Sequence, residues 1–193
     1  IQGRVRFMFQ PGEEGFAGAR IMIDEGVLDG VDRAFALHVS PNQRIGTASS
    51  RAGALLAGDT SITVTITGRG GHASAPHHTT DPIPATAAII TALQTAVTRE
   101  IDVFDPAVLT VAHLVAGTTT NVIPETAFFE GTIRCVSEHT RTRIREAVAR
   151  TVHGVAEAHG CTASLEMVDG YPVTMNDPTE AARLYRVAAE HGD

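Results

Sequence analysis

Between Gly58 and Gly71 the apolar and polar positions alternate. Ile62, Val64 and Ile66 fall on one face of an extended chain and threonines on the other. A period of two belongs to a strand with one covered and one open face, so residues 58–71 predict a half-exposed antiparallel strand. The period then lengthens. Residues 82–99, PIPATAAIITALQTAVTR, read as a helix, with Asp81 placed to cap its N-terminus. Residues 107–117 and 126–136 read as strands joined by a polar turn containing NVIP. Residues 139–160 form a long amphipathic pattern, closed by Gly160 at the position where glycine ends helices. Residues 162–170 give a last strand. The order β-α-β-β-α-β predicts a ferredoxin-like α+β sandwich, an antiparallel sheet with both helices on one face.

The flanking segments carry a different pattern. RVRFMF (4–9) alternates like a strand and is broken by Pro11-Gly12. Phe16, Ala19, Met22, Ile23 and Val27 recur at helical spacing, with Gly26 near the end. A short apolar run, 34–39, ends at His38 and is stopped by Pro41. Strand, helix and strand in that order predict part of an α/β domain with a parallel sheet. The expected organisation is therefore a partial α/β domain (1–51), an inserted sandwich (52–170) and the start of a return segment (171–193). The glycine- and alanine-rich RAGALLAG (51–58) has the composition of a hinge. The chain opens at Ile1 inside a strand pattern and closes inside a helical one, AARLYRVAAEHGD. Both ends read as cuts, so the expectation is an internal piece of a longer protein. Its first segment is expected to leave strand edges uncovered.

Composition narrows the function class. A net charge of -7 over 193 residues argues against a nucleic-acid surface. No apolar run is long enough to span a membrane. All 15 basic residues are arginine, which we read as a base-composition effect of a GC-rich genome. Cys135 and Cys161 stand in no metal or redox spacing. With no signal-peptide pattern, a cytoplasmic protein with reduced thiols is expected.

Adjacent carboxylates repel, and Glu13-Glu14 places two between glycines where a strand gives way to a helix. The pair suits a solvated turn near a helix N-terminus. It equally suits a site at the carboxyl end of a parallel strand, where α/β sheets carry their ligands. His38, at the next strand end, reads as a core histidine or as a second donor for zinc or manganese beside Glu14. GRGGHASAPHH (68–78) presents His72, His77 and His78 in a glycine-rich turn. Asn121, in AGTTTNVIPE, suits a ligand contact or an Asx turn. Arg134, in GTIRCV, suits a substrate carboxylate or a pairing with Glu130 or Asp102. No Ser/His/Asp arrangement, phosphate loop or dinucleotide fingerprint is present.

Taken in order, QPGEEG, ALHVSP, GRGGHASAPH, AGTTTNVIPE, GTIR and YPVTMND resemble the M20 metallopeptidase family. They are most similar to its amidohydrolase branch of hippurate, indole-acetyl-amino-acid and N-acyl-amino-acid hydrolases. The resemblance implies a zinc-peptidase-like α/β catalytic domain with an inserted lid or dimerisation domain. It implies metal-dependent hydrolysis of an N-acyl amino acid or small peptide, by a homodimer joined through the lid. By resemblance Glu13 is the general base, and Glu14 and His38 are metal ligands. His72 steadies the oxyanion, often in the partner's site. Asn121, Arg134 and, with a less defined role, His77 contact substrate. Complete members bind two divalent ions, zinc or manganese. Their N-terminal His-x-Cys-Gly-His-Asp type segment and late histidine ligand have no counterpart here, so an incomplete metal site is expected. The alternative reading is a non-catalytic dimerisation or interaction module derived from such an enzyme.

Overall fold

The computed structural model describes residues 3–15 and 17–191. It divides into two compact units, residues 1–49 and 50–193.

The first unit holds one helix among its described residues, α1 (Gly18–Asp24). The predicted helix is present but shorter than its apolar spacing suggests. Its first apolar position, Phe16, lies outside the described residues. The two predicted strands are not there: residues 4–9 and 34–39 carry no regular secondary structure. The reason is pairing. A strand exists only when its N–H and C=O groups meet a neighbouring strand, and no described segment of this unit pairs with either run. Their apolar side chains stay in solvent, Phe9 at 85% and Leu37 at 87% exposure. Alternation in the sequence records a strand's faces, but the partners that complete it are non-local.

The second unit is built as its pattern predicts. Its elements are β1 (Gly53–Leu56), β2 (Gly58–Thr67), β3 (Gly71–His72), α2 (Pro82–Glu100), β4 (Ala107–Ala116), β5 (Val122–Ile123), β6 (Thr126–Cys135), α3 (Glu138–Ala158), β7 (Thr162–Asp169), β8 (Thr174–Asn176) and α4 (Pro178–His191). Four strands form one sheet in the order β4-β6-β2-β7, every neighbour antiparallel. That order, with α2 and α3 as the crossovers, is the ferredoxin-like sandwich.

Both helices of the sandwich start where a side chain accepts a backbone N–H. Asp81 receives the Ile83 N–H at 2.9 Å, and Ser137 receives the Thr140 N–H at 3.0 Å. Such caps stabilise a helix by roughly 1 kcal/mol each. Gly160 takes φ 70° just beyond α3, as its position predicts. One face of β2 buries Ile62, Val64 and Ile66 against Ile89 and Leu93 of α2 and Ile144, Val148 and Val152 of α3. Phe129 of β6, fully buried, fills the same layer. Each such side chain contributes roughly 1.5–3 kcal/mol of burial, so this face holds the unit together.

Two short two-stranded ribbons lie outside this sheet. β1 pairs with β8 where the chain enters and leaves the sandwich. β3 pairs with β5 at the other end of β2, joining His72 to Val122. Among the described residues no helix is long and apolar enough to cross a membrane.

Candidate functional site

The acidic pair sits in a tight turn. Gly12 and Gly15 take φ of 59° and 86°, a region that glycine enters at little cost. The Gly15 N–H donates to the Glu13 carbonyl at 2.8 Å. The carboxylates of Glu13 and Glu14 are both exposed.

His38 is exposed, with Nδ1 2.7 Å from the Val39 carbonyl oxygen. A carbonyl only accepts, so Nδ1 carries a proton, and in the neutral ring Nε2 presents its lone pair. A metal-ligating imidazole has this arrangement. Glu14 and His38 are thus donors of the kind zinc or manganese takes. A catalytic ion needs about three protein donors. Among the described residues no three His, Cys, Asp or Glu side chains gather into a group that could hold an ion.

His72 has the opposite tautomer. Its Nδ1 accepts the Ser74 backbone N–H at 3.2 Å, and the Ser74 hydroxyl lies 2.8 Å away. Nδ1 is therefore the acceptor in the neutral ring, and Nε2–H is left to donate. An exposed N–H of this kind can stabilise an oxyanion. His72 and Asn121 are brought together by the β3–β5 ribbon, where the Ala73 N–H donates to the Asn121 carbonyl at 3.0 Å. The Asn121 Oδ1 accepts from the Thr119 hydroxyl at 3.1 Å, which leaves the side-chain amide hydrogens for a ligand. The turn contact and the ligand reading of Asn121 are therefore compatible. Beside it lies a cleft of about 360 Å³, lined by Val115, Gly117, Val122, Pro124 and Phe128. His77 stands in the 3-10 turn Pro76–His78 with its ring 4.1 Å from that of His78.

Arg134 is elsewhere. It lies opposite Asp59 near the start of β2, whereas the His72 ribbon follows the Thr67–Thr126 pair at the far end. Eight residues of strand separate the two register pairs, about 26 Å at the usual rise. The acidic neighbour of Arg134 is Asp59, at 3.7 Å, and neither Glu130 nor Asp102. Glu130 bonds His113 at 2.9 Å, and Asp102 accepts the Phe104 N–H. Strand register decides this, because Glu130 lies four residues back along the same strand.

Two side chains that bear on these groups carry no motif signal. Ser74 sets the His72 tautomer through a local turn, and Asp59 meets Arg134 across a non-local strand pair. Only the acid at the start of the alternating run, GDTSITV, hints at the second.

Residues 56–159 match the model of the peptidase dimerisation domain of M20 enzymes. Thermostable carboxypeptidase 2 of Saccharolobus solfataricus is 37% identical over 97% of this chain and 48% of its own length. N-acetylcysteine deacetylase of Bacillus subtilis is 38% identical over 100% of this chain and 50% of its own. The solved YXEP protein of Bacillus subtilis, a dinuclear metal-binding peptidase of the M20 family, superposes with a TM-score of 0.75 at 32% identity. That superposition covers 94% of this chain and 45% of the other. The chain thus spans about half the length of the curated relatives it matches.

Proposed function

Because the chain belongs to the M20 peptidase family through its dimerisation domain, we propose that the protein containing it is a metal-dependent amidohydrolase acting on N-acyl amino acids or small peptides. The observation that carries this reading is the match of residues 56–159 to the peptidase dimerisation domain, with relatives that include a carboxypeptidase and a deacetylase. His38 exposes a lone pair suited to a cation, and His72 exposes an N–H suited to an anion.

Glu14 and His38 would hold a divalent cation, zinc or manganese, together with donors from outside these residues. When bound, such an ion lowers the pKa of a water and polarises the amide carbonyl. Glu13 is the general base: it takes a proton from the attacking water and delivers it to the leaving amine. His72 Nε2–H donates to the oxygen that gains charge. Asn121 offers its amide hydrogens to the substrate, and Arg134 offers its fork to the substrate carboxylate. His77 flanks the His72 turn. The sandwich is the lid through which two copies associate, and the protein works in the cytoplasm.

The test is release of free amino acid by the full-length protein carrying Glu13→Gln. Turnover is expected to vanish while the metal content stays that of the wild type. Unchanged turnover would exclude Glu13 as the base.

A second reading is favoured by the extent of the domain match, residues 56–159, which lies within the second unit. In it, residues 1–193 alone form a dimerisation module without turnover. Light scattering and an activity assay on this chain separate the two.

A further inference from the structure

Asp59 and Arg134 are direct partners in the β2–β6 register, so their side chains share a face of the sheet. Arg134 Nη1 lies 3.7 Å from Asp59 Oδ1, within ion-pair reach but beyond hydrogen-bond length. The guanidinium therefore keeps its N–H donors for a ligand.

The aspartate is anchored. Its Oδ1 accepts the Tyr171 N–H at 3.1 Å. Its own N–H donates to the Tyr171 carbonyl at 3.2 Å, and the Gly170 N–H donates to its carbonyl at 3.0 Å. A Cβ at Gly170 would fall 2.3 Å from Asp59 Oδ2, so the carboxylate occupies space that only glycine leaves. The neighbouring charges are engaged elsewhere: Arg141 donates to the Tyr171 carbonyl, and Arg145 pairs with Asp169. Asp59 side-chain exposure is 24%, against 54% for Arg134. The pair has a fixed half and an exposed half.

We propose that Asp59 is a positioning residue for Arg134. It holds the guanidinium over the point where the chain enters and leaves the sandwich, so that a substrate carboxylate meets an ordered fork. The proposal rests on the reading of Arg134 as the carboxylate ligand. Without Asp59 the long arginine side chain must be ordered at each binding event, at a cost in side-chain entropy. The Asp59 charge also repels an incoming carboxylate, but solvent and salt screen that term at a half-exposed site. Ordering outweighs repulsion.

The experiment uses the full-length enzyme with Asp59→Asn, Arg134→Met and the double variant. Each is assayed on an N-acyl amino acid and on the matching N-acyl amino acid amide, which has no carboxylate. Asparagine keeps the acceptor for Tyr171 and removes the charge. Asp59→Asn is expected to raise KM for the acid roughly two- to fivefold. It should leave kcat and the KM of the amide unchanged, and should add nothing in the Arg134→Met background. A KM for the acid at or below the wild-type value overturns the proposal, as does an equal rise for acid and amide. If Arg134→Met raises KM for the acid alone but Asp59→Asn does not, only the Asp59 assignment falls. If Arg134→Met shows no preference for the acid, the carboxylate reading falls and this proposal with it. Should Asp59→Asn fold poorly, Asp59→Ser retains an acceptor for Tyr171 and is read the same way.

Discussion

Arg134 and Thr126 stand at opposite ends of β6, about 26 Å apart along the strand, and the β3–β5 ribbon that carries His72 lies beyond the Thr126 end. In an N-acyl amino acid the scissile carbonyl and the carboxylate are separated by only a few bonds. One substrate cannot reach both His72 and Arg134 of the same sandwich. On the proposed reading, a site that uses both takes His72 from one copy and Arg134 from another.

That relationship has a sharp consequence for mixed dimers. His72→Ala and Arg134→Met are each expected to be nearly inactive in the full-length protein. Mixed and allowed to exchange subunits, they form dimers in which one site has both groups intact and the other has neither. Random exchange should restore about a quarter of wild-type activity, since half of the dimers are mixed and each has one good site. Activity that stays at the level of the separate variants would mean both residues serve one site within one chain.

The sandwich was legible because its signals are local. Period-two alternation in β2, the Asp81 cap and Gly160 each act within a few residues, and their order specifies the topology. The segments 4–9 and 34–39 carry equally clear alternation, yet form no strand, because a ladder needs partners that alternation does not supply. The candidate residues could be picked out, but their grouping could not. Asn121 joins His72 across the β3–β5 ribbon, and Arg134 is carried away from both by the length of β6. Strand length and register decide such distances, and neither is visible in a motif.

Phe129 tests the core. It is fully buried between the sheet and both helices. Phe129→Ala removes a ring that the surrounding Ile and Val side chains cannot replace. The expected loss is about 3–5 kcal/mol, read as a lower urea midpoint for the second unit with an unchanged slope. A loss below about 1 kcal/mol would mean that the layer relaxes into the cavity.

Cys161 and Cys135 are buried free thiols. Burial pushes the Cys161 thiol up, and the charge of Asp81 pushes it further. A raised thiol gives little thiolate at neutral pH, and the thiolate is the reactive form. An aromatic disulfide reagent at mildly alkaline pH should leave both cysteines unmodified in the folded chain, and label both after denaturation. Fast labelling of Cys161 without denaturant would show that the turn after α3 opens readily.

The acid limb of stability should be governed by Asp105 and Asp169. Hydrogen bonds from Ser137 and then Thr140 hold the Asp105 carboxyl below its ordinary value, against an opposing effect of burial. The hydrogen bond from Thr60 does the same for Asp169, with further help from Arg145 and Arg141. A carboxyl lowered in the folded state binds fewer protons there than in the unfolded chain, so stability rises with pH through its titration. The contribution is fully present above the unfolded value, near pH 4, and is lost as pH falls through the folded values. Urea midpoints should therefore hold steady above about pH 5 and drop below about pH 4. Ser137→Ala removes the largest cause at Asp105. It should shift that residue's titration upward and lower stability at neutral pH, leaving a shallower fall in acid. An acid limb of undiminished slope in Ser137→Ala would show that other carboxylates set it.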